Sequence, residues 1–307
     1  MTLSIIIPVY NVADTLRECV ESVRSQSFTE WEMLLIDDGS VDGSGVLADE
    51  IARTDSRISV CHKSNGGLSD ARNYGLDRCH GNLIMFVDSD DMLAESTLEP
   101  LIRTMVTHPE YDVLEYPVLV HAGHSSEYLF ETVPAVYGSP MEWWENTRGY
   151  EHTWAWNKVY RRSLFEPADG CGEPVRFPVG RSFEDAWTIC DIMQRSPVIA
   201  VTDKGCYIYR WNRKGITCNA SRRELRELLE AHIRLCAQMK IDLREPRWHH
   251  YYMALLNQQI VLYALGGPLL ISGQRLRLSC LEGWKNKVKA LVLNTLGLKT
   301  VCRIFGR

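Results

Sequence analysis

The stretch LIMFVDSDD, Leu83 to Asp91, decides the fold. Five apolar residues run directly into Asp88-Ser89-Asp90-Asp91, which holds three acids in four positions. A short apolar run bounded by polar residues reads as a strand buried on both faces. Two carboxylates ~4 Å apart repel by about 4 kcal/mol at an effective dielectric of about 20, so such a cluster needs a partner. Alternation in an extended segment puts Asp88 and Asp90 on one side and Ser89 on the other. Hard oxygen ligands suit Mg2+ or Mn2+, ions that keep waters and share substrate phosphates. The competing reading is a cap cluster for a helix starting near Ala94 to Leu98, where acids are welcome. A calcium-binding EF-hand loop is excluded, because its required Gly and terminal Glu are missing at their offsets.

Outward from this strand the first 115 residues alternate strand and helix signals. Residues 4–9, 33–36 and 58–61 read as further short strands. Residues 16–23, 46–52 and 68–79 read as helices, and Thr15 with Glu18 has the spacing of a capping box. Four strands separated by helices predict an α/β fold, with a mostly parallel, doubly wound sheet covered on both faces. Ligands bind at the carboxyl ends of such strands. The unusual residues stand there: Pro8-Val9-Tyr10-Asn11, Asp37-Asp38-Gly39-Ser40 and Asp88 to Asp91.

From 116 to 220 aromatic residues become dense, including Trp143, Trp144, Trp154, Trp156, Tyr207, Tyr209 and Trp211. This region is expected to extend the same sheet and form the second wall of a cleft. From 221 to 307 the pattern is helical, with Leu225, Leu228, Leu229, His232, Leu235 and Cys236 on one face.

A chain of 307 residues is long enough for one large α/β domain with an appended piece, or for two domains. Its net charge of −5 gives no polyanion-binding signature, so nucleic acid is not an expected partner. The ten cysteines include no CxxC pair, which disfavours zinc or thioredoxin-like chemistry and points to reduced core thiols. The first apolar run is short and lacks a basic flank, so no signal peptide is expected. The longest apolar run, 260–271, is broken at Gly266-Gly267-Pro268 and falls short of the ~20 residues that span a bilayer. A cytoplasmic location is expected.

Taken together the sequence resembles glycosyltransferase family 2, the nucleotide-sugar transferases of GT-A fold. The resemblance rests on SIIIPVYN (4–11), DDGSVDGS (37–44), NGGLSDARNYGL (65–76) and FVDSDD (86–91). It continues through WNKVYRRSLF (156–165), RFPVGRSFEDAW (176–187) and YIYRWNRKGIT (207–217). It implies a nucleotide-sugar-binding half at 1–115, an acceptor-binding half at 116–220 and a C-terminal helical extension at 221–307. The implied reaction is inverting and metal-dependent, using Mn2+ or Mg2+. A sugar passes from a UDP-sugar to a saccharide or lipid-linked saccharide acceptor, as in surface polysaccharide biosynthesis, with a hexosyl or N-acetylhexosaminyl group transferred.

The resemblance also assigns roles. Pro8, Val9 and Tyr10 would meet the base, Tyr10 offering a stacking face. Asp38 would accept from base N3–H, which favours uracil over cytosine because a carboxylate cannot donate. Arg72 would contact the base or the diphosphate. Asp88 and Ser89 would lie on the nucleotide's ribose side and Asp90 on the metal. Asp185 would be the catalytic base, since an acceptor hydroxyl attacks poorly until its proton is removed, and Glu184 would orient the acceptor. Both also suit the first turn of a helix. Arg210 and Thr217 would close over the diphosphate, although Lys214 could replace Arg210. Trp156 and Trp154 are acceptor candidates through their ring faces, with at least one of them expected in the core. The NGG segment at 65–67 is not the dinucleotide-binding G-x-G-x-x-G, which argues against a dehydrogenase.

Residues 281–307 interleave six basic residues with apolar ones, against the single acid Glu282. A basic amphipathic helix can lie on an anionic membrane surface, so a peripheral contact with the cytoplasmic face is one expectation, and a helix packed on the protein body or a dimer contact the other. A nucleotidyltransferase and an inactive sugar-nucleotide-binding scaffold are the alternative functions. The first would leave Glu184-Asp185 without a task; the second is disfavoured by the intact set Asp38, Asp88, Asp90 and Asp185.

Overall fold

The structure is a computed structural model that describes residues 3–167, 173–212 and 220–306. It divides into two compact units. The first comprises residues 1–140, 154–180 and 191–214, and the second residues 141–153, 181–190 and 215–307.

The first unit carries β1 (Leu3–Val9), α1 (Leu16–Arg24), β2 (Trp31–Asp37), α2 (Ser44–Ala52), β3 (Ile58–His62), α3 (Leu68–Leu76) and β4 (Leu83–Phe86). There follow β5 (Met92–Leu93), α4 (Leu98–Thr107), β6 (Val113–Glu115), β7 (Val118–Ala122), β8 (Tyr128–Phe130) and β9 (Ala135–Tyr137). It ends with β10 (Lys158–Arg161), β11 (Ile199–Val201) and β12 (Tyr207–Arg210). Eight strands form one sheet in the order β3-β2-β1-β4-β10-β6-β11-β9. The β3-β2-β1-β4 block is parallel, as the alternating pattern predicts. Beyond it β10 runs antiparallel to both β4 and β6, and β9 antiparallel to β11. A second sheet has the order β5-β12-β7-β8. The boundary expected at 115–116 falls between β6 and β7, both in the first unit.

Every residue of β1 is buried, in keeping with a β-branched central strand covered on both faces. The sheet and helices share one core containing Ile5, Ile7, Leu16, Val20, Met33, Leu35, Met85 and Val87. A Cβ at Gly75 would stand 2.5 Å from Ile6 Cγ2, so the missing side chain is what lets α3 lie close on β1. Pro8 is unusual in a central strand because it lacks an N–H. It is tolerated here because β4 pairs with β1 only from Leu3 to Ile6, leaving Pro8 beyond the end of that ladder. The two strands part where the acidic turn begins.

The second unit is helical: α5 (Pro140–Asn146), α6 (Glu184–Met193), α7 (Arg222–Gln238), α8 (His249–Ala264), α9 (Trp284–Leu296) and α10 (Leu298–Phe305). A capping box between Ser221 and Glu224 starts α7. Trp144, Tyr150 and Tyr251 pack together, Tyr150 stacking on Tyr251 at 4.6 Å. Tyr252, Leu256 and Ile260 of α8 share a second cluster with Ala290 and Leu293 of α9 and Val301 and Cys302 of α10. The C-terminal helices are therefore packed on α8 within their own unit. Even so, Trp284, Leu291, Leu296 and Ile304 remain exposed on them. No helix among the described residues is long and apolar enough to cross a membrane. Eight cysteines, among them Cys19, Cys79 and Cys190, are free thiols, while Cys171 and Cys218 lie outside the described residues.

Candidate active site

The turns after β1 and β2 are sewn together. Asn11 takes a left-handed conformation (φ 52°), its amide donates to Ser40 Oγ and its Oδ1 accepts from the Val41 amide. The Val12 amide donates to Ser44 Oγ at 2.8 Å. Pro8 and Val9 are held in β1, and Tyr10, just past it, is 51% exposed. Its ring is thus presented to solvent rather than taken into the core.

Asp38 is buried, and its carboxylate is already engaged. Oδ1 accepts from the Gly66 amide at 2.9 Å and from Lys63 Nζ, and Oδ2 accepts from the Gly67 amide at 2.7 Å. Gly67 has φ 88°, a conformation that suits glycine and turns its amide toward the carboxylate. Asp38 therefore holds the loop that starts α3. Lys63 also pairs with Asp70; burial pulls its pKa down, but the two carboxylates outweigh this and hold it above the ordinary lysine value. Beside it His62 bridges Asp37 (2.8 Å) and Asp49 (3.1 Å), which raise its pKa, Asp37 contributing most. Sequence reasoning passed over Lys63 and His62, although both stand at the end of β3 where ligands gather.

Arg72 is buried, donates to Asp88 Oδ1 at 2.8 Å, and lies 5.1 Å from the Phe177 ring centre. The acidic turn is fixed from several directions. Tyr207 of β12 accepts from the Asp88 amide at 3.0 Å and donates to Asp91 Oδ2 at 2.9 Å. The Arg210 amide donates to Asp91 Oδ1, and Arg210 Nε donates to the Asp90 carbonyl. Asn212 Nδ2 donates to Asp90 Oδ2 at 2.8 Å. Thr15 and Glu18 form no cap on α1; Thr15 Oγ1 donates to the carbonyl of buried Ser89, and Glu18 pairs with Arg210. The capping-box spacing is present, but tertiary partners take both side chains.

Asp91 is 1% exposed, and burial followed by the Asp90 and Asp88 charges pushes its pKa well above the carboxylate range. Asp90 is raised for the same reasons, burial first and Asp88 second. Burial and the mutual repulsion of these carboxylates thus both disfavour full ionisation of the turn. Asp88 and Asp90 each give one oxygen to a protein donor, and no hydrogen bond is formed by Asp88 Oδ2 or Asp90 Oδ1 among the described residues. These oxygens fit a hard divalent cation. No three acidic, histidine or cysteine side chains among the described residues are arranged to hold an ion alone, so waters and substrate oxygens would complete its shell.

Trp156 is 5% exposed and stacks on Trp154 at 4.8 Å and on Tyr207 at 4.3 Å. It is the core tryptophan of the pair, and it backs the ring whose hydroxyl holds the acidic turn. Asn157 and Lys158 are fully buried, with Lys158 Nζ 3.1 Å from Glu115 Oε1. In the helical unit Glu184 is buried and Asp185 half-buried in the first turn of α6. The approach to that turn is held by Glu227 of α7, which accepts from the Ser182 amide at 2.8 Å. Thr217 and Lys214 lie outside the described residues.

Residues 4–169 match the sequence model described as Glycosyl transferase family 2. The uncharacterized glycosyltransferase EpsJ of Bacillus subtilis is 32% identical over 225 residues, covering 70% of this chain and 62% of that protein. Glycosyltransferase GlyA of Streptococcus pneumoniae is 30% identical over 225 residues, covering 69% of this chain but only 31% of its own length. Among solved structures, S. aureus TarS 1-349 in complex with UDP-GlcNAc superposes with a TM-score of 0.67 at 19% identity, covering 99% of this chain and 90% of that one. The mannosyltransferase PcManGT from Pyrobaculum calidifontis, in complex with GDP-Man and Mn2+, does so with a TM-score of 0.56 at 14% identity, covering 99% and 82%. The chain spans less than two thirds of the length of these curated relatives. The parallel block, the acidic turn at its strand ends and the match over more than half the chain agree: this chain has the GT-A fold and belongs to glycosyl transferase family 2.

Proposed function

We propose that the protein is an inverting, metal-dependent transferase that moves a hexosyl or N-acetylhexosaminyl group from a UDP-sugar to a saccharide or lipid-linked saccharide during surface polysaccharide synthesis. The observation that carries this reading is the acidic turn, whose Asp88 and Asp90 each keep one oxygen without a protein donor among the described residues. Asp90, with Asp88 beside it, would hold Mn2+ or Mg2+, which when bound neutralises diphosphate charge. Tyr10 presents a ring face for the uracil, and Asp88 and Ser89 stand on the ribose side. Asp38 acts on the base through the 65–67 loop that it fixes, and one lone pair of its carboxylate remains for N3–H. Arg72 sets the position of Asp88, and Arg210 would contact the diphosphate, the role also expected of Thr217, which lies outside the described residues.

Asp185 takes the proton from the acceptor hydroxyl as that oxygen attacks the anomeric carbon, and Glu184 orients the acceptor. Attack opposite the departing diphosphate inverts the anomeric carbon, so no enzyme nucleophile is needed. UDP, named in complexes of TarS, is the favoured nucleotide, while PcManGT is named with GDP-Man. The test is UDP release with Mn2+ from UDP-sugars, with and without saccharide acceptors. Asp185→Asn should keep UDP affinity and lose about 10²- to 10⁴-fold in transfer; full transfer by this variant would overturn the base assignment.

A further inference from the structure

The second sheet carries an aromatic group that no step above uses. β12 pairs with β7 so that Tyr209 opposes Val120 and Arg210 opposes Ala122, leaving His121 as the extra residue of a bulge. His121 has φ 57°, a left-handed conformation that costs a non-glycine residue energy and recurs at functional sites. Bulges re-aim side chains beside active sites. Here His121 is turned edge-on to Trp211 at 4.6 Å, and His124 stacks flat on the same indole at 4.4 Å and 17°. Trp211 is 37% exposed, so the group is open to solvent.

Ser126 sets the two imidazoles differently. The Ser126 amide donates to His124 Nδ1 at 3.2 Å, which leaves the proton of a neutral His124 on Nε2. Ser126 Oγ lies 2.8 Å from that same nitrogen and 2.9 Å from His121 Nδ1. The hydroxyl donates to His124 and accepts from His121, so His121 Nε2 is an acceptor. Neither Nε2 has a hydrogen-bond partner among the described residues. One donor and one acceptor beside an open indole match the alternating apolar face and hydroxyl edge of a sugar ring.

The neighbouring residue supplies the location. Asn212, next to Trp211, donates to Asp90 Oδ2, and Arg210, on its other side, donates to the Asp90 carbonyl. We propose that His121, His124 and Trp211 form a saccharide-binding platform for the acceptor, set one residue out from the acidic turn. This rests on the transferase reading above. Trp156 lies in the core, whereas Trp211 of this group is exposed.

Saturation-transfer NMR with cellobiose, lactose and N,N′-diacetylchitobiose, in the presence of UDP and Mn2+, tests the proposal on the full chain. At least one disaccharide should bind the wild type, and Trp211→Ala should weaken it about tenfold or more. His124→Ala should weaken the same disaccharide. His121→Gly, which keeps the bulge because glycine accepts its φ, should do so as well. Unchanged melting temperature and UDP affinity in each variant show that the fold and nucleotide site are intact. Disaccharide binding without UDP binding supports the platform while refuting the donor assignment. Binding by none of the three sugars, undiminished binding in Trp211→Ala, or weakened UDP-sugar affinity with disaccharide affinity intact would overturn it.

Discussion

At the carboxyl end of β4, Asp91 is buried beside Asp88 and the half-buried Asp90, and burial followed by neighbouring carboxylate charge raises the pKa of Asp91 and Asp90. On β6 of the same sheet, Glu115 is equally buried, but Lys158 of β10 stands 3.1 Å away, and Asn157 Nδ2 approaches the same carboxylate. Both places carry ionised groups out of water, where an unmatched charge is costly. The Glu115–Lys158 pair is complete within the chain and holds two antiparallel strands in register. In the acidic turn Asp88 and Asp90 each keep one oxygen without a protein donor among the described residues, and under the proposed function a metal ion would take them.

The comparison can be broken experimentally. Lys158→Met should destabilise the protein by about 3–5 kcal/mol in chemical denaturation, because buried Glu115 loses the Lys158 counter-charge. Adding Glu115→Gln should recover much of that loss. If the single and double variants were equally unstable, the pair would matter for packing rather than for charge. Asp90→Asn should do the opposite: the ligand-free protein melts at the wild-type temperature or higher, since one repelling charge is gone. It should lose the stabilisation conferred by UDP with Mn2+, about 2.7 kcal/mol at a hundredfold excess over Kd. A wild-type shift in this variant would show that Asp90 is not the metal-holding residue.

The same contrast extends from charges to apolar groups on α9. Ala290 and Leu293 are covered, but Trp284, Val288 and Leu291 are uncovered on a helix that also carries Lys285 and Lys287. Since Leu281, Ala290, Leu293, Val301 and Cys302 belong to the helical core, removing residues 281–307 would damage that unit. Lys285→Glu with Lys287→Glu leaves the packed face intact. If this surface meets anionic lipid, the pair should weaken liposome co-sedimentation by about 1 kcal/mol or more per residue; equal sedimentation would remove the membrane contact.

The smallest effect concerns His62, a matched group at the surface. Asp37 and Asp49 raise its folded pKa above its unfolded value near 6.5. Its contribution is therefore full below about pH 6.5 and disappears as pH rises through the folded value. The stability difference between wild type and His62→Gln should shrink between pH 5.5 and pH 8.5. A difference independent of pH would mean that the imidazole acts only as a neutral hydrogen-bonding group.

How much of this could be read beforehand follows the range of the interactions. β1, β2, β3 and β4 were legible because continuous apolar runs end at turn residues, a pattern local to a few positions. The placement of Asp38, Asp88 and Asp90 at strand ends followed from that topology. The reversed strand β10 and the second sheet were hidden: strands of two to five residues give too short a period to recognise. Thr15 and Glu18 misled because a capping box and two tertiary bonds require the same residue types. Nothing local ties Tyr207 to Asp91, or Lys158 to Glu115, since those partners meet only after the sheet has formed. Trp154 and Trp156 were similarly undecidable, because identical side chains two positions apart differ only in what the fold sets against them.

The Tyr207 hydroxyl, which receives the Asp88 amide and grips the Asp91 carboxylate, makes the acidic turn a property of two sheets at once. The four residues from 88 to 91 are consequently not a portable cassette. An engineer transplanting them onto another strand would need to bring β12 and its tyrosine along, or the turn would relax into a shape of its own choosing.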